Sequence, residues 1–200
     1  MINSIIELRK RILYVLLFFC ALFGLFFFWA NPLFLFLMHP LQTVLLPQST
    51  LIATQITSTI LTPLNIAANA SFLCSTPFAL IQLWCFMAPG LYQREKKIFL
   101  VVIIGSLLLF ILGGVFCFTF ILPVMFQFFL HALPEGVNLL PDISTSTAFI
   151  TRMLWLFGLA FEVPMLCAVL VWLGWINQQT LKQIRPYVIV VAFVIGMLLT

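Results

Sequence analysis

Polar positions along this chain fall in short clusters separated by long apolar runs. Five runs stand out, over about residues 12–30, 64–87, 98–122, 149–173 and 187–200. The first four are each long enough to cross about 30 Å of hydrocarbon as a helix rising about 1.5 Å per residue. The fifth is cut short where the sequence stops. Punctuation agrees with these edges: Thr62-Pro63 has the form of an N-cap followed by proline at the first helical position, and Ser144 to Thr147 offers several caps for the fourth helix. Gly174 can close that helix. Pro77 and Pro123 lie inside or near the end of runs and are expected to bend helices rather than end them.

Two long connections, from Asn31 to Pro63 and from Pro123 to Ala148, are too apolar for water-exposed loops. The stretch PLFLFLMHPLQTVLLP, residues 32–47, is expected to form a short helix lying at the membrane interface over the spans, as part of a capping layer. No internal repeat or low-complexity tract divides the chain, so one membrane domain over residues 1–200 is expected.

Composition excludes the soluble alternative. With 64% apolar residues, 7% charged residues and 23 Phe, a water-soluble domain would expose apolar surface on every side, whereas a bilayer requires such a surface. Charge then orients the spans. Arg9, Lys10, Arg11, Arg94, Lys96, Lys97, Lys182 and Arg185 all fall on one side if the runs alternate, leaving Arg152 as the one exception among nine basic residues. That side is the cytoplasm by the positive-inside rule, with the N-terminus in it. Arg9 to Arg11 precede a run that lacks a small-x-small cleavage site, so the first span is expected to stay attached.

Little of this points to catalysis. The five cysteines are scattered singly, and the two histidines stand apart from any partner, so neither a redox pair nor a metal cluster is predicted. No acid pair at short spacing and no GxSxG turn is present. Three carboxylates are more informative. Ser4 precedes Glu7 by three residues, matching a capping box, and Glu7 precedes Arg11 by four, which allows an ion pair along a helix. Glu95 sits among Arg94, Lys96 and Lys97 after the Pro89-Gly90 turn, where basic residues alone would serve orientation; a carboxylate there can receive a guanidinium. Glu162 lies in the middle of a span, where a charge costs about 2.5 to 3.5 kcal/mol on insertion scales, and so should face protein or water. Pro164 opens the helical ladder beside it, and Gln82 or hydroxyls on other helices are candidate partners. These features are compatible with a transporter, a channel component or a receptor.

The ordered set SIIELRKRI, IQLWCFMAPGLYQREKK, LPEGV, FGLAFEVP and LKQIRPYVIVVAFVIGMLLT resembles the TatC family, core subunits of the twin-arginine protein translocase, across essentially the whole chain. The resemblance implies an all-α, polytopic helical membrane protein with a concave bundle and an outer cap. It implies a non-enzymatic function: receiving signal peptides with consecutive arginines and, with TatB-like and TatA-like single-span subunits, exporting folded proteins across the bacterial inner membrane on the proton-motive force. A homo-oligomeric complex is implied; no cofactor, metal or nucleic acid is. By the same resemblance Glu95 and Glu7 receive the arginines, while Arg9, Arg11, Phe86, Pro89 and Leu91 shape the surface around them. Pro40 matches a sensitive position of the first outer loop, and Glu162 the family's intramembrane glutamate.

Two departures accompany the resemblance. Ser4 stands where family members commonly carry histidine, and the sequence ends at GMLLT, before the PPD-type turn and sixth span of the family, so a shortened member is expected. An assembly-only subunit and a proton-coupled small-molecule transporter working through Glu162 are the competing readings.

Overall fold

The structure, a computed structural model, describes residues 2–44, 51–53, 57–87, 96–132 and 140–172. The expected fifth span, the LPEGV segment and Gly174 lie outside these residues. Six α-helices are described: α1 (Ile2–Phe28), α2 (Ala30–Gln42), α3 (Ser58–Met87), α4 (Lys96–Phe116), α5 (Leu122–His131) and α6 (Ile143–Trp172), with a wider π-helical turn, Cys117–Ile121, joining α4 to α5. Four segments are long and apolar enough to cross a membrane: Ile6–Phe28, Leu61–Leu83, Leu100–His131 and Ile143–Trp172. Helix is what such runs must adopt, because hydrocarbon offers no partner to an open backbone N–H or C=O. Three of the buried or part-buried hydroxyls are satisfied within their own helices: Ser71 donates to the Ala67 carbonyl, Thr147 to Ile143 and Thr151 to Thr147.

Several boundaries differ from the sequence expectation. Helix α1 begins before Ser4, so Ser4 is an interior residue rather than a cap. Helix α3 begins at Ser58, which puts Thr62 and Pro63 inside it. The cap of α6 is Asp142 rather than the Ser144–Thr147 run: its Oδ2 accepts from the Thr145 N–H at 3.0 Å and from the Thr145 hydroxyl at 3.1 Å. An aspartate with its carboxylate on the third helical N–H is a strong N-cap and also favours the positive end of the helix dipole. The capped turn is pinned from outside, since the Ile52 N–H donates to the Pro141 carbonyl at 3.2 Å and the Ile143 N–H to the Ile52 carbonyl at 3.0 Å.

The residues form two compact units, Met1–Phe161 and Glu162–Thr200. In the first, α1 lies along α3, with Phe18 against Phe78 (centroids 4.6 Å apart) and Phe19 against Phe72 (6.0 Å). Its core is Met38 and Leu41 of α2, Cys117 of the wide turn, Leu122 and Phe126 of α5, and Ile150 and Leu154 of α6. Helix α2 packs on α3 and α5, as a covering helix would, and Phe36 stacks on Phe118 at 4.9 Å and 9°. The wide turn makes this core possible. Residues five apart diverge on an α-helix, but an i→i+5 turn stacks them, so Cys117, Leu122 and Phe126 share one buried face. Its closing bond is the Leu122 N–H to the Cys117 carbonyl, immediately before Pro123, which has no N–H to give.

Helices α4 and α6 approach through glycine. A Cβ on Gly113 would lie 2.6 Å from the Phe157 carbonyl oxygen and 3.0 Å from Cβ and Cγ of Phe161, and one on Gly158 would lie 2.9 Å from the Phe110 ring. Small residues at a crossing are how membrane helices gain packing contacts that hydrocarbon alone does not drive.

In the second unit the described residues are the end of α6, from Glu162 to Trp172. Glu162 and Val169 are buried there and Pro164 stands inside the helix without ending it.

Candidate functional site

The first turns of α1 gather the polar chemistry. Glu7, Arg9, Lys10 and Arg11 occupy consecutive faces of one amphipathic end; Arg9 and Lys10 are exposed, whereas Glu7 and Arg11 are partly covered. The predicted i,i+4 pair is formed. Arg11 Nη2 and Nε both donate to Glu7 Oε1, at 2.6 and 3.1 Å. Its third donor, Nη1, reaches across to Gln82 Oε1 of α3 at 3.2 Å. One guanidinium thus ties the start of α1 to the last turns of α3. Exposed i,i+4 pairs are worth about 0.3–0.5 kcal/mol, so this pair orients groups more than it stabilises the fold.

The other predicted residues are distributed as follows. Phe86 is half-buried near the end of α3. Glu95, Pro89 and Leu91 lie outside the described residues. Pro40 is inside α2 rather than in a loop, buried, with its carbonyl accepting the Thr43 hydroxyl at 3.0 Å. Glu162 is only 2% exposed, so its carboxyl does not face lipid. Gln82, singled out as a partner for Glu162, bonds Arg11. Sequence spacing could not have found that contact, which joins residues 71 positions apart. No group of three His, Cys, Asp or Glu suited to a metal occurs among the described residues.

This arrangement is suited to recognition. A carboxylate held at a helix end already accepts paired guanidinium donors, which match carboxylate oxygens in a way an ammonium does not.

Comparison with known proteins agrees in family. The Sec-independent protein translocase protein (TatC) family matches residues 3–200. The chain is 36% identical over its whole length to the TatC protein of Escherichia coli (strain K12), covering 78% of that relative, and 37% identical to that of Azotobacter chroococcum mcd 1, again covering 78%. Its fold superposes on a crystal structure of the twin arginine translocase receptor TatC in DDM with a TM-score of 0.88, at 31% identity, covering 98% of this chain and 88% of that one. On sequence, fold and helical content together, the chain belongs to the TatC family, as a polytopic, non-enzymatic inner-membrane subunit of the Sec-independent protein translocase.

Proposed function

We propose that this chain is the receptor through which the translocase reads signal peptides with consecutive arginines, before folded cargo is exported on the proton-motive force with TatB-like and TatA-like single-span partners in a homo-oligomeric complex. The observation that carries the reading is Glu7, a carboxylate with a 40% exposed side chain that takes two guanidinium donors on one oxygen. Glu95, six residues after Pro89 in the basic cluster Arg94 to Lys97, is the second receiving carboxylate. Arg9, Arg11, Phe86, Pro89 and Leu91 border the two, and the apolar part of the signal lies along the helices behind them. The basic clusters support a cytoplasmic N-terminus and hence a cytoplasmic site. They also support five spans alternating across the membrane, the fifth over residues 187–200.

The test is binding of a labelled peptide carrying RR or KK to the chain in inside-out and right-side-out vesicles. RR peptide should bind inside-out vesicles, and KK should bind weakly. Glu95→Gln should weaken RR binding about tenfold or more, the value of a hydrogen bond to a charged group. Equal binding of RR and KK, or an unchanged affinity in Glu95→Gln, would remove the receptor assignment.

Glu162 has a different part in this proposal. Buried within a span and flanked by Pro164, it is a polar station for assembly or conformational change rather than for peptide recognition. Glu162→Gln is expected to keep RR affinity at the wild-type value while export of a folded cargo falls in cells that lack their own TatC. Export at the wild-type rate would exclude that part.

A further inference from the structure

We infer that Arg11 is an intramolecular competitor for the receptor carboxylate, a resident guanidinium that a signal-peptide arginine must displace from Glu7. The inference rests on the reading of Glu7 as a receiving carboxylate. Its geometric ground is that Nε and Nη2 of Arg11 both converge on Glu7 Oε1, at 3.1 and 2.6 Å, the same class of bonding an incoming arginine would make. Among the described residues Oε2 receives no donor, so the carboxylate is engaged on one oxygen and open on the other. Exposure is graded in the same sense: the Glu7 side chain is 40% exposed, whereas that of Arg11 is 22% exposed. A ligand therefore reaches the acid before it reaches the base.

Charge argues against Arg11 as an additional ligand-holding group. The end of α1 carries Arg9, Lys10 and Arg11 against Glu7 alone, and another guanidinium approaching it meets three like charges and one carboxylate that is already neutralised. Removing Arg11 lowers the repulsion and frees the acceptor together. Gln82 supplies the other half of the exchange. Its Oε1 already takes Arg11 Nη1 at 3.2 Å, so it can keep the displaced guanidinium on α3 after Glu7 is surrendered, without leaving a charge unbonded. Displacement thereby exchanges a bond within α1 for one between α1 and the peptide, while the α1 to α3 tie through Gln82 persists. Signal binding is set to a threshold, and only a ligand able to outbond a tethered arginine crosses it.

The experiment is a double-mutant cycle on the full chain in nanodiscs, reading the affinity for a synthetic RR signal peptide with wild type, Arg11→Gln, Glu7→Gln and the double variant. Arg11→Gln is expected to bind about threefold more tightly than wild type, the order of an i,i+4 pair with added relief of like charge. In the Glu7→Gln background the same change is expected to give less than half of that gain. Arg11→Lys, which keeps the charge but not the paired donors, should fall between wild type and Arg11→Gln and guards against a folding artefact in the glutamine variant. Weaker or unchanged binding in Arg11→Gln overturns competition while leaving Glu7 as a receptor, provided Glu7→Gln alone weakens binding. If Glu7→Gln binds as wild type does, the receptor role of Glu7 and the competition fall together.

Discussion

A methyl group placed on Gly113 is expected to destabilise the protein by about 1–3 kcal/mol, the usual cost of overpacking, whereas the same change one residue later costs nothing. The cause is what each Cβ would meet. On Gly113 it would lie 2.6 Å from a backbone oxygen of α6, the Phe157 carbonyl, and a main-chain atom inside a helix cannot swing aside as a side chain can. Helices α4 and α6 would have to separate, and the packing of Phe116 on Phe157 and Phe161, with centroids 6.2 and 5.7 Å away, would loosen with them. On Gly114 the Cβ would have nothing within 4 Å, and alanine also removes glycine's excess backbone freedom. Thermal unfolding of purified Gly113→Ala and Gly114→Ala in one detergent checks the contrast: Tm should fall for the first and hold or rise for the second. Equal values would mean that the crossing is looser than the distances state. Leucine at 113 is expected to abolish recovery of folded protein.

Phe126→Ala is expected to be comparably severe in the buried core. The ring is 6% exposed and packs against Phe149 and Phe129, with centroids 5.9 and 6.5 Å away. Burial of this kind loses about 3 kcal/mol on truncation, the low end for phenylalanine, because lipid also solvates the ring once helices part; what remains is the cavity and the lost dispersion contacts. Phe128, two residues on and 65% exposed, is the matched control and should tolerate alanine with little change. Because this core includes neither Glu7 nor the Arg11 and Gln82 groups bonded with it, the folded fraction of Phe126→Ala should keep its affinity for an RR peptide. Loss of peptide binding in a sample that unfolds at the wild-type temperature would contradict both statements.

Where sequence alone succeeded and failed follows from what each feature depends on. Runs of apolar residues are a local property and locate helices; the covering helix was legible in PLFLFLMHP because it is apolar yet too short to span. The Glu7 to Arg11 pair was legible because helix geometry turns a spacing of four into a contact. Starts of helices were not, since Thr62-Pro63 has the same local grammar inside a helix as at its beginning, and only the packing of α3 decides. Nor was the wide turn at Cys117: where nearly every residue is apolar, a shift in register leaves no trace in hydropathy and shows only in which side chains are buried. Gly113 and Gly114 look alike in sequence for the same reason, and they differ only in what crosses them. Gln82 required the register of α1 against α3.

The helical segment from Leu100 to His131, through the wide turn, has one more consequence. Its 32 residues span about 48 Å, against about 30 Å of hydrocarbon. Leaning cannot absorb that difference within the roughly 0–40° range of membrane helices, since about 50° would be needed. The α5 end therefore extends past that thickness, and on one face α2 clothes it, over Leu122 and Phe126. On the opposite face Phe120, Val124 and Phe128, one helical turn apart, stay bare at 63%, 62% and 65% exposure. Lipid tails have to stretch upward to wet that stripe while they need not do so elsewhere, so the hydrophobic mismatch is one-sided and the leaflet beside this flank is held out of its resting thickness.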